Sequence, residues 1–214
     1  MAEKIKQRCI ILCASPYCQR DFINKIVTEN DFVICADGGL DTALQCGIQP
    51  DVLIGDFDSL KAKQYVQTKN YPTILLPKEK DDTDSISSIR YALRQGCKDF
   101  VLLGATGGRI DHTYANMHLL KFLYHNDCSA IIQDQYTDIY YTEKTLTLYE
   151  QGRTISILPY GCNTAEVSLS GFKYPAEHMI MHSDFPIGIS NVALSEQCTV
   201  EVYTGGVLII VNKP

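Results

Sequence analysis

Short apolar runs recur through the first two thirds of the chain, at Cys9–Cys13, Phe32–Ala36, Val52–Ile54, Thr73–Leu76, Phe100–Leu103 and Ala130–Ile132. They are rich in Ile, Val and Leu and do not alternate with polar residues, the pattern of strands covered on both faces. Between them, Asp84–Arg94 sets Ile86, Ile89, Arg90 and Leu93 at helical spacing, a partial apolar stripe. His112–His125 does the same with Met117, Leu119, Leu120, Leu123 and Tyr124. Strands alternating with helices predict βαβ units around a parallel sheet.

The texture changes after about residue 135. Thr137–Thr142, Thr145–Tyr149, Thr154–Leu158, Ala165–Leu169, Cys198–Tyr203 and Val207–Val211 are short runs rich in Thr, Tyr, Val and Ile, many separated by Gly or Pro. No long helical pattern interrupts them, so residues 136–214 read as a small antiparallel β domain following an α/β domain of residues 1–135. Tyr203-Thr204-Gly205-Gly206-Val207 reads as a closing hairpin.

Composition narrows the function classes. A length of 214 residues suits one large or two small domains at a prior of ~150 residues each. Lys and Arg number 19 against 25 Asp and Glu, a net charge of −6, and there is no basic run. Such a chain is a poor candidate for non-specific binding of nucleic acid or anionic membranes. No apolar run approaches the ~18–20 residues of a membrane span, and the first residues do not form a signal peptide, so a cytoplasmic location is expected. The nine cysteines are scattered, odd in number and lack a C-x-x-C pair, which favours reduced structural thiols over a disulfide or zinc framework.

The chemistry gathers where the predicted strands end. Phe32–Ala36 runs into Asp37-Gly38-Gly39, and Val52–Ile54 into Gly55-Asp56-Phe57-Asp58-Ser59. Leu76 is followed by Pro77-Lys78-Glu79-Lys80-Asp81-Asp82-Thr83-Asp84, and Phe100–Leu103 by Gly104-Ala105-Thr106-Gly107-Gly108-Arg109-Ile110-Asp111-His112. Ligands of α/β sheets bind at this edge. Each turn alone has a bland explanation, since a solvated D-x-D or a helix N-cap uses the same residues. Four together concentrate like charge that would repel. A magnesium ion resolves that repulsion, taking one or two carboxylates and completing its shell with water and phosphate oxygens. Asp56 and Asp58 suit such an ion, with Asp37 and Asp84 arriving from neighbouring turns.

Glycines supply the other half. Asp37-Gly38-Gly39 and Thr106-Gly107-Gly108-Arg109 each lie between a strand and a helix, where exposed N–H groups and the helix dipole favour anions. Arg109 adds a donor fork suited to phosphate. Neither loop has P-loop spacing, and a tight strand–helix turn needs the same glycines. Carboxylates, a metal and glycine cradles together point to group transfer from a nucleotide polyphosphate, with Asp111 the first candidate for the base and His112 the other.

The ordered set of motifs resembles bacterial thiamine pyrophosphokinases (thiamine diphosphokinases) over nearly the whole chain. The matching runs are Ala36-Asp37-Gly38-Gly39, Pro50-Asp51 with Gly55-Asp56-Phe57-Asp58-Ser59, Glu79-Lys80-Asp81 with Thr83-Asp84, and Gly107-Gly108-Arg109 with Asp111-His112 and Asn116. Gly171-Phe172-Lys173-Tyr174-Pro175 and Gly188-Ile189-Ser190-Asn191 match in the β part. The resemblance implies an α/β fold: an N-terminal Rossmann-like, mostly parallel sheet with helices on both faces that binds ATP, plus a C-terminal antiparallel β-sandwich that binds thiamine. It implies transfer of a diphosphoryl group from ATP to the hydroxyl of thiamine, giving thiamine diphosphate and AMP. It further implies a homodimer with thiamine at the subunit interface. By position, Asp37, Asp56, Asp58 and Asp84 would hold Mg2+. Asp37, Gly38, Gly39, Lys80, Asp81, Thr83, Thr106, Gly107, Gly108, Arg109 and His112 would surround ATP. Asp111, Ser190 and Asn191 would lie against thiamine, and Asp58, Asp84, Arg109 and Asp111 would carry catalysis.

The residues by themselves reach magnesium, polyphosphate and transfer, but not thiamine. Some family members place a Trp against thiamine, and this chain has none, so stacking would fall to Phe, Tyr or the partner subunit. Three other readings share parts of the pattern. One is a pyrophosphokinase acting on a hydroxymethyl pterin. Another is a sensor that binds nucleotide or thiamine diphosphate without turnover. The third is a phosphohydrolase with Asp56 as nucleophile.

Overall fold

In a computed structural model of the chain, residues 8–15, 20–57, 71–79 and 81–213 are described. Asp58 and Lys80, both expected in the site, lie outside them. The chain divides into two compact units, Met1–Gln135 and Tyr136–Pro214.

In the first unit, β1 (Arg8–Leu12), α1 (Arg20–Ile26), β2 (Phe32–Ala36), α2 (Gly39–Cys46), β3 (Val52–Gly55) and β4 (Thr73–Leu75) follow one another. Then come α3 (Asp84–Arg94), β5 (Asp99–Leu103), α4 (Ile110–Tyr124) and β6 (Ser129–Gln133). The strands pair in parallel in the order β6-β5-β1-β2-β3-β4. Alternate side chains point to opposite faces of a strand. Ile10, Leu12, Val33, Cys35, Leu53, Val101 and Leu103 accordingly share one core with Ile23 of α1 and Leu40, Ala43 and Cys46 of α2. On the other face α3 packs, stacking Tyr91 on Phe32 with ring centroids 6.4 Å apart. Burial on both faces explains the non-alternating strands, and helices cover both sides as expected.

An ion pair between half-buried Arg8 and buried Asp31 pins the start of β1. Arg8 Nε donates to Asp31 Oδ1 at 2.7 Å, and Thr28 contributes its N–H and hydroxyl to Asp31 Oδ2. Burial pulls the Asp31 carboxyl upward, but these donors outweigh it and hold the group below its ordinary range.

The second unit holds β7 (Thr137–Thr142), β8 (Leu146–Leu148), β9 (Thr154–Pro159), β10 (Thr164–Ser170), β11 (Ala176–His182), β12 (Asn191–Val192), β13 (Cys198–Thr204) and β14 (Val207–Asn212). One antiparallel sheet runs β12-β9-β14-β7 and the other β11-β10-β13-β8. Ile155 and Ile157, with Val207, Ile209 and Val211, enter from the first sheet. Ala165, Val167, Leu169, Met181, Cys198 and Val200 enter from the second. Burial alternates along β9 and β10, and the inward faces of the two sheets make a sandwich core.

The expected closing hairpin is not formed. β13 pairs with β10 and β8, while β14 pairs with β7 and β9. Gly205 and Gly206 carry the chain across from one sheet to the other. Gly205 takes φ +74°, and a Cβ there would collide with the Thr164 carbonyl oxygen. A turn signal between two strands does not specify that they pair. The eight described cysteines are free, and seven are buried.

Candidate active site

Strands β1 to β4 step outward in one direction from β1, and β5 and β6 step in the other, so the order reverses between β1 and β5. At such a switch point the connecting loops diverge and leave a crevice at the carboxyl edge. A pocket of about 360 Å3 opens there. Its walls are Cys13 and Ala14 after β1, Ala36 and Asp37 at the end of β2, and Asp84 and Ser85 at the start of α3. Gly104, Ala105, Gly107, Gly108 and Arg109 after β5, with His112 and Asn116 of α4, complete it.

Of the expected site residues, the pocket gathers Asp37, Asp84, Gly107, Gly108, Arg109 and His112. Gly38, Gly39, Asp56, Asp81, Thr83, Thr106 and Asp111 stand outside its lining. Several of these have local roles. Thr83 caps α3, its hydroxyl accepting from the Ile86 N–H at 3.3 Å. Gly39 lets the start of α2 meet β1, where a Cβ would collide with the Leu12 carbonyl oxygen.

Backbone geometry marks the same edge. Asp37 takes φ 43°, while its N–H donates to Ile54 O at 2.9 Å and so ties the β2 exit to β3. Phe57, beside Asp56, takes φ 56° though buried, a conformation that costs a bulky side chain energy and recurs at functional sites. Gly107 and Gly108 are both left-handed, at φ 83° and 63°.

Arg109 and Asp111 hold each other by two bonds, Nε to Oδ1 at 3.1 Å and Nη2 to Oδ2 at 2.5 Å. Both are exposed, at 72% and 60%. The guanidinium holds the Asp111 carboxyl below its ordinary range, which makes it a weaker base in this pairing. Cys13 reaches Ser85 Oγ at 3.5 Å. Burial, and secondarily the Asp84 charge, push its thiol up to about 11 despite the Ser85 bond, and so favour the neutral thiol.

The loop after β5 is held by side chains from three other places in the unit. Asn116 Nδ2 donates to Ala105 O at 2.8 Å, Ser15 Oγ to Thr106 O at 2.8 Å, and Thr106 Oγ1 to Asp134 Oδ2 at 2.5 Å. In the sequence Asn116 stands out only as part of a motif. Nothing local in the sequence marks Ser15 or Asp134.

Among the described residues, no three His, Cys, Asp or Glu side chains gather as a metal cluster. Asp37 and Asp84 share the pocket, Asp56 follows β3, and Asp58 lies outside the described residues.

In the second unit Ser190 is exposed, takes φ 57° and donates its N–H to Ser156 Oγ at 3.1 Å. Asn191 is buried, and its amide is committed to backbone. Oδ1 accepts from the Tyr174 and Val192 N–H groups at 3.0 and 2.9 Å, and Nδ2 donates to Tyr174 O at 2.8 Å. It ties the Gly171–Pro175 run to β12.

Comparison with known proteins bears on both units. A family model described as thiamin pyrophosphokinase, catalytic domain, matches residues 23–132. Another, thiamin pyrophosphokinase, vitamin B1 binding domain, matches residues 143–208. A thiamine pyrophosphokinase of Bacillus subtilis (strain 168) is 29% identical over 190 residues, covering 86% of this chain and 88% of the relative. A Caenorhabditis elegans thiamin pyrophosphokinase 1 is 24% identical over 203 residues, covering 88% and 82%. The crystal structure of a thiamine pyrophosphokinase from Bacillus subtilis superposes with a TM-score of 0.86 at 25% identity, covering 96% of this chain and 99% of that one. A Candida albicans thiamin pyrophosphokinase shares the fold, with a TM-score of 0.81 at 16% identity, 98% of this chain and 91% of that one being covered. Two family models lying in chain order on the two units, one of them spanning half the chain, show that the chain belongs to the thiamin pyrophosphokinase family.

Proposed function

We propose that this chain moves a diphosphoryl group from ATP to the hydroxyethyl oxygen of thiamine, giving thiamine diphosphate and AMP. The observation that carries the reading is the switch-point pocket. Two carboxylates, a left-handed glycine pair and an arginine fork meet there, in a chain of this family. The thiamine oxygen attacks the β-phosphorus, the bond from that phosphorus to the oxygen bridging to the α-phosphorus breaks, and AMP leaves with the electron pair. The hydroxyl proton passes to a base, Asp111 first and His112 second. Arg109 is shared between Asp111 and the pocket. As phosphate takes its donors, the Asp111 carboxylate loses the partner that weakens it as a base.

Magnesium fits the donor set. Asp37 and Asp84 offer hard oxygen ligands to one pocket, and a site of one or two protein carboxylates completed by phosphate oxygens suits this ion. Asp56 and Asp58 are the further ligands of the proposal. Bound there, the ion neutralises charge that develops on the polyphosphate.

Residues 1–135 are the donor-binding unit in this reading, and residues 136–214 the acceptor-binding unit. A homodimer with thiamine at the subunit interface and a cytoplasmic location belong to the same proposal. Among the described residues no helix is long and apolar enough to cross a membrane.

Product analysis tests it. The purified chain with ATP, magnesium and thiamine should form AMP one-for-one with thiamine diphosphate. ADP with thiamine monophosphate would overturn the point of attack, and no thiamine product would overturn the acceptor.

A further inference from the structure

The pocket's glycine-rich loop is not shaped by its glycines alone. Residues far apart in sequence grip the loop between β5 and α4. Asn116, one turn and a half into α4, takes the Ala105 carbonyl. Ser15, beyond β1, takes the Thr106 carbonyl. Asp134, just past the end of β6, takes the Thr106 hydroxyl.

Peptide units are planar and trans, so the carbonyl of one residue and the N–H of the next point in opposite directions. Capturing the Ala105 carbonyl therefore fixes the Thr106 N–H. Capturing the Thr106 carbonyl fixes the Gly107 N–H in the same way. A phosphate site needs N–H groups available and carbonyl oxygens turned aside, because a carbonyl facing a polyphosphate repels it. Two left-handed glycines in succession would otherwise leave this loop free to rotate its peptide planes.

We propose that Asn116, Ser15 and Asp134 are positioning residues for the nucleotide's phosphates. They act through the Ala105 and Thr106 peptide planes, Asn116 from the pocket wall and Ser15 and Asp134 from outside the lining. This rests on the ATP-dependent reading above, but not on thiamine as the acceptor. Asp134 acts one step removed. Its carboxylate accepts from the Thr106 hydroxyl at 2.5 Å, a charge-assisted bond that anchors the residue whose carbonyl Ser15 holds.

The test uses the full chain and a non-hydrolysable ATP analogue with magnesium, followed by calorimetry, alongside steady-state kinetics. Asp134→Ala and Asn116→Ala should each weaken analogue binding and raise the ATP KM about tenfold, the loss of one buried or charge-assisted hydrogen bond. The thiamine KM should stay within about twofold. Thr106→Val should match Asp134→Ala, and the double variant should be no worse than either single one, because all three remove the same bond. Thr106→Ser, which keeps the hydroxyl, should restore binding. Melting temperature checks that each variant is folded, and where Asp134→Ala is not, Thr106→Val and Thr106→Ser decide. Equal rises in both KM values, additive losses in the double variant, or no rescue by serine would overturn the clamp. A wild-type chain that binds the analogue but makes no thiamine diphosphate overturns the acceptor assignment only, and the binding series still decides the clamp. A wild-type chain that does not bind the analogue overturns both.

Discussion

Two loops carry the residues expected to meet substrates, and they are built in opposite ways. Thr106–Arg109 after β5 lies against a pocket, and its backbone is held by side chains from elsewhere in its unit. Gly188–Asn191 in the sandwich presents Ile189, 56% exposed, and Ser190 to solvent. Its one buried polar side chain, Asn191, faces backbone instead. Both loops use left-handed residues, Gly107 and Gly108 in one and Gly188 and Ser190 in the other. Polyphosphate needs charge and N–H groups fixed in advance, because reorganising them during reaction costs rate. Thiamine, the acceptor of the proposal, is an aromatic cation and would need surface that can be covered, such as Ile189 and Ser190 present.

The largest expected effect breaks the first loop's side of this contrast. Asp84→Asn should lower kcat about 10³-fold while circular dichroism and melting temperature stay near wild type, since one proposed ligand of the charge-neutralising ion is lost from a pocket that keeps its shape. A near-normal rate would remove Asp84 from the metal set. The next effect separates two neighbours in the second loop. Asn191→Ala should destabilise the fold by about 2 kcal/mol in denaturant unfolding, because the part-buried Tyr174 and Val192 backbone groups lose their partner. Ser190→Ala should leave stability unchanged and raise the thiamine KM severalfold more than the ATP KM. Equal effects on the two KM values would detach Ser190 from the acceptor.

The smallest effect is a shift in pH dependence. Arg109 lowers the Asp111 carboxyl, so Arg109→Ala should let it return upward toward its ordinary value. With Asp111 as the base, the acidic limb of the kcat/KM profile should then move to higher pH, because protonation now competes earlier on acidification. Asp111→Asn should abolish that limb. An acidic limb unmoved in Arg109→Ala would point to His112.

Much of this molecule was legible in the chain, and the exceptions share a cause. Strands β2 and β7 and helix α3 follow the expected bounds because a short run of β-branched, aromatic or apolar residues, or a stripe at fixed spacing, leaves few alternatives. β11 went unrecognised. Ala176–His182 carries mainly Glu, His and Met, most of it exposed, so it has neither β-branched composition nor a clean alternation. The short helices α1 and α2 lacked a stripe long enough to see. The hairpin expected at Gly205-Gly206 failed because strand pairing is decided by partners distant in sequence.

The sequence by itself determined the two-part architecture, the carboxylates and glycines at the strand ends and the family resemblance. Each of these is a local pattern or an ordered set of local patterns. Only the tertiary structure decided which of those residues share a pocket, that Arg109 and Asp111 hold each other, that Asn191 serves the backbone, and that Ser15, Asn116 and Asp134 grip one loop. The bonds of that grip span 91, 11 and 28 residues. A hydrogen bond is specified by where two atoms come to rest, and for residues so far apart that is set by how the sheet orders its strands.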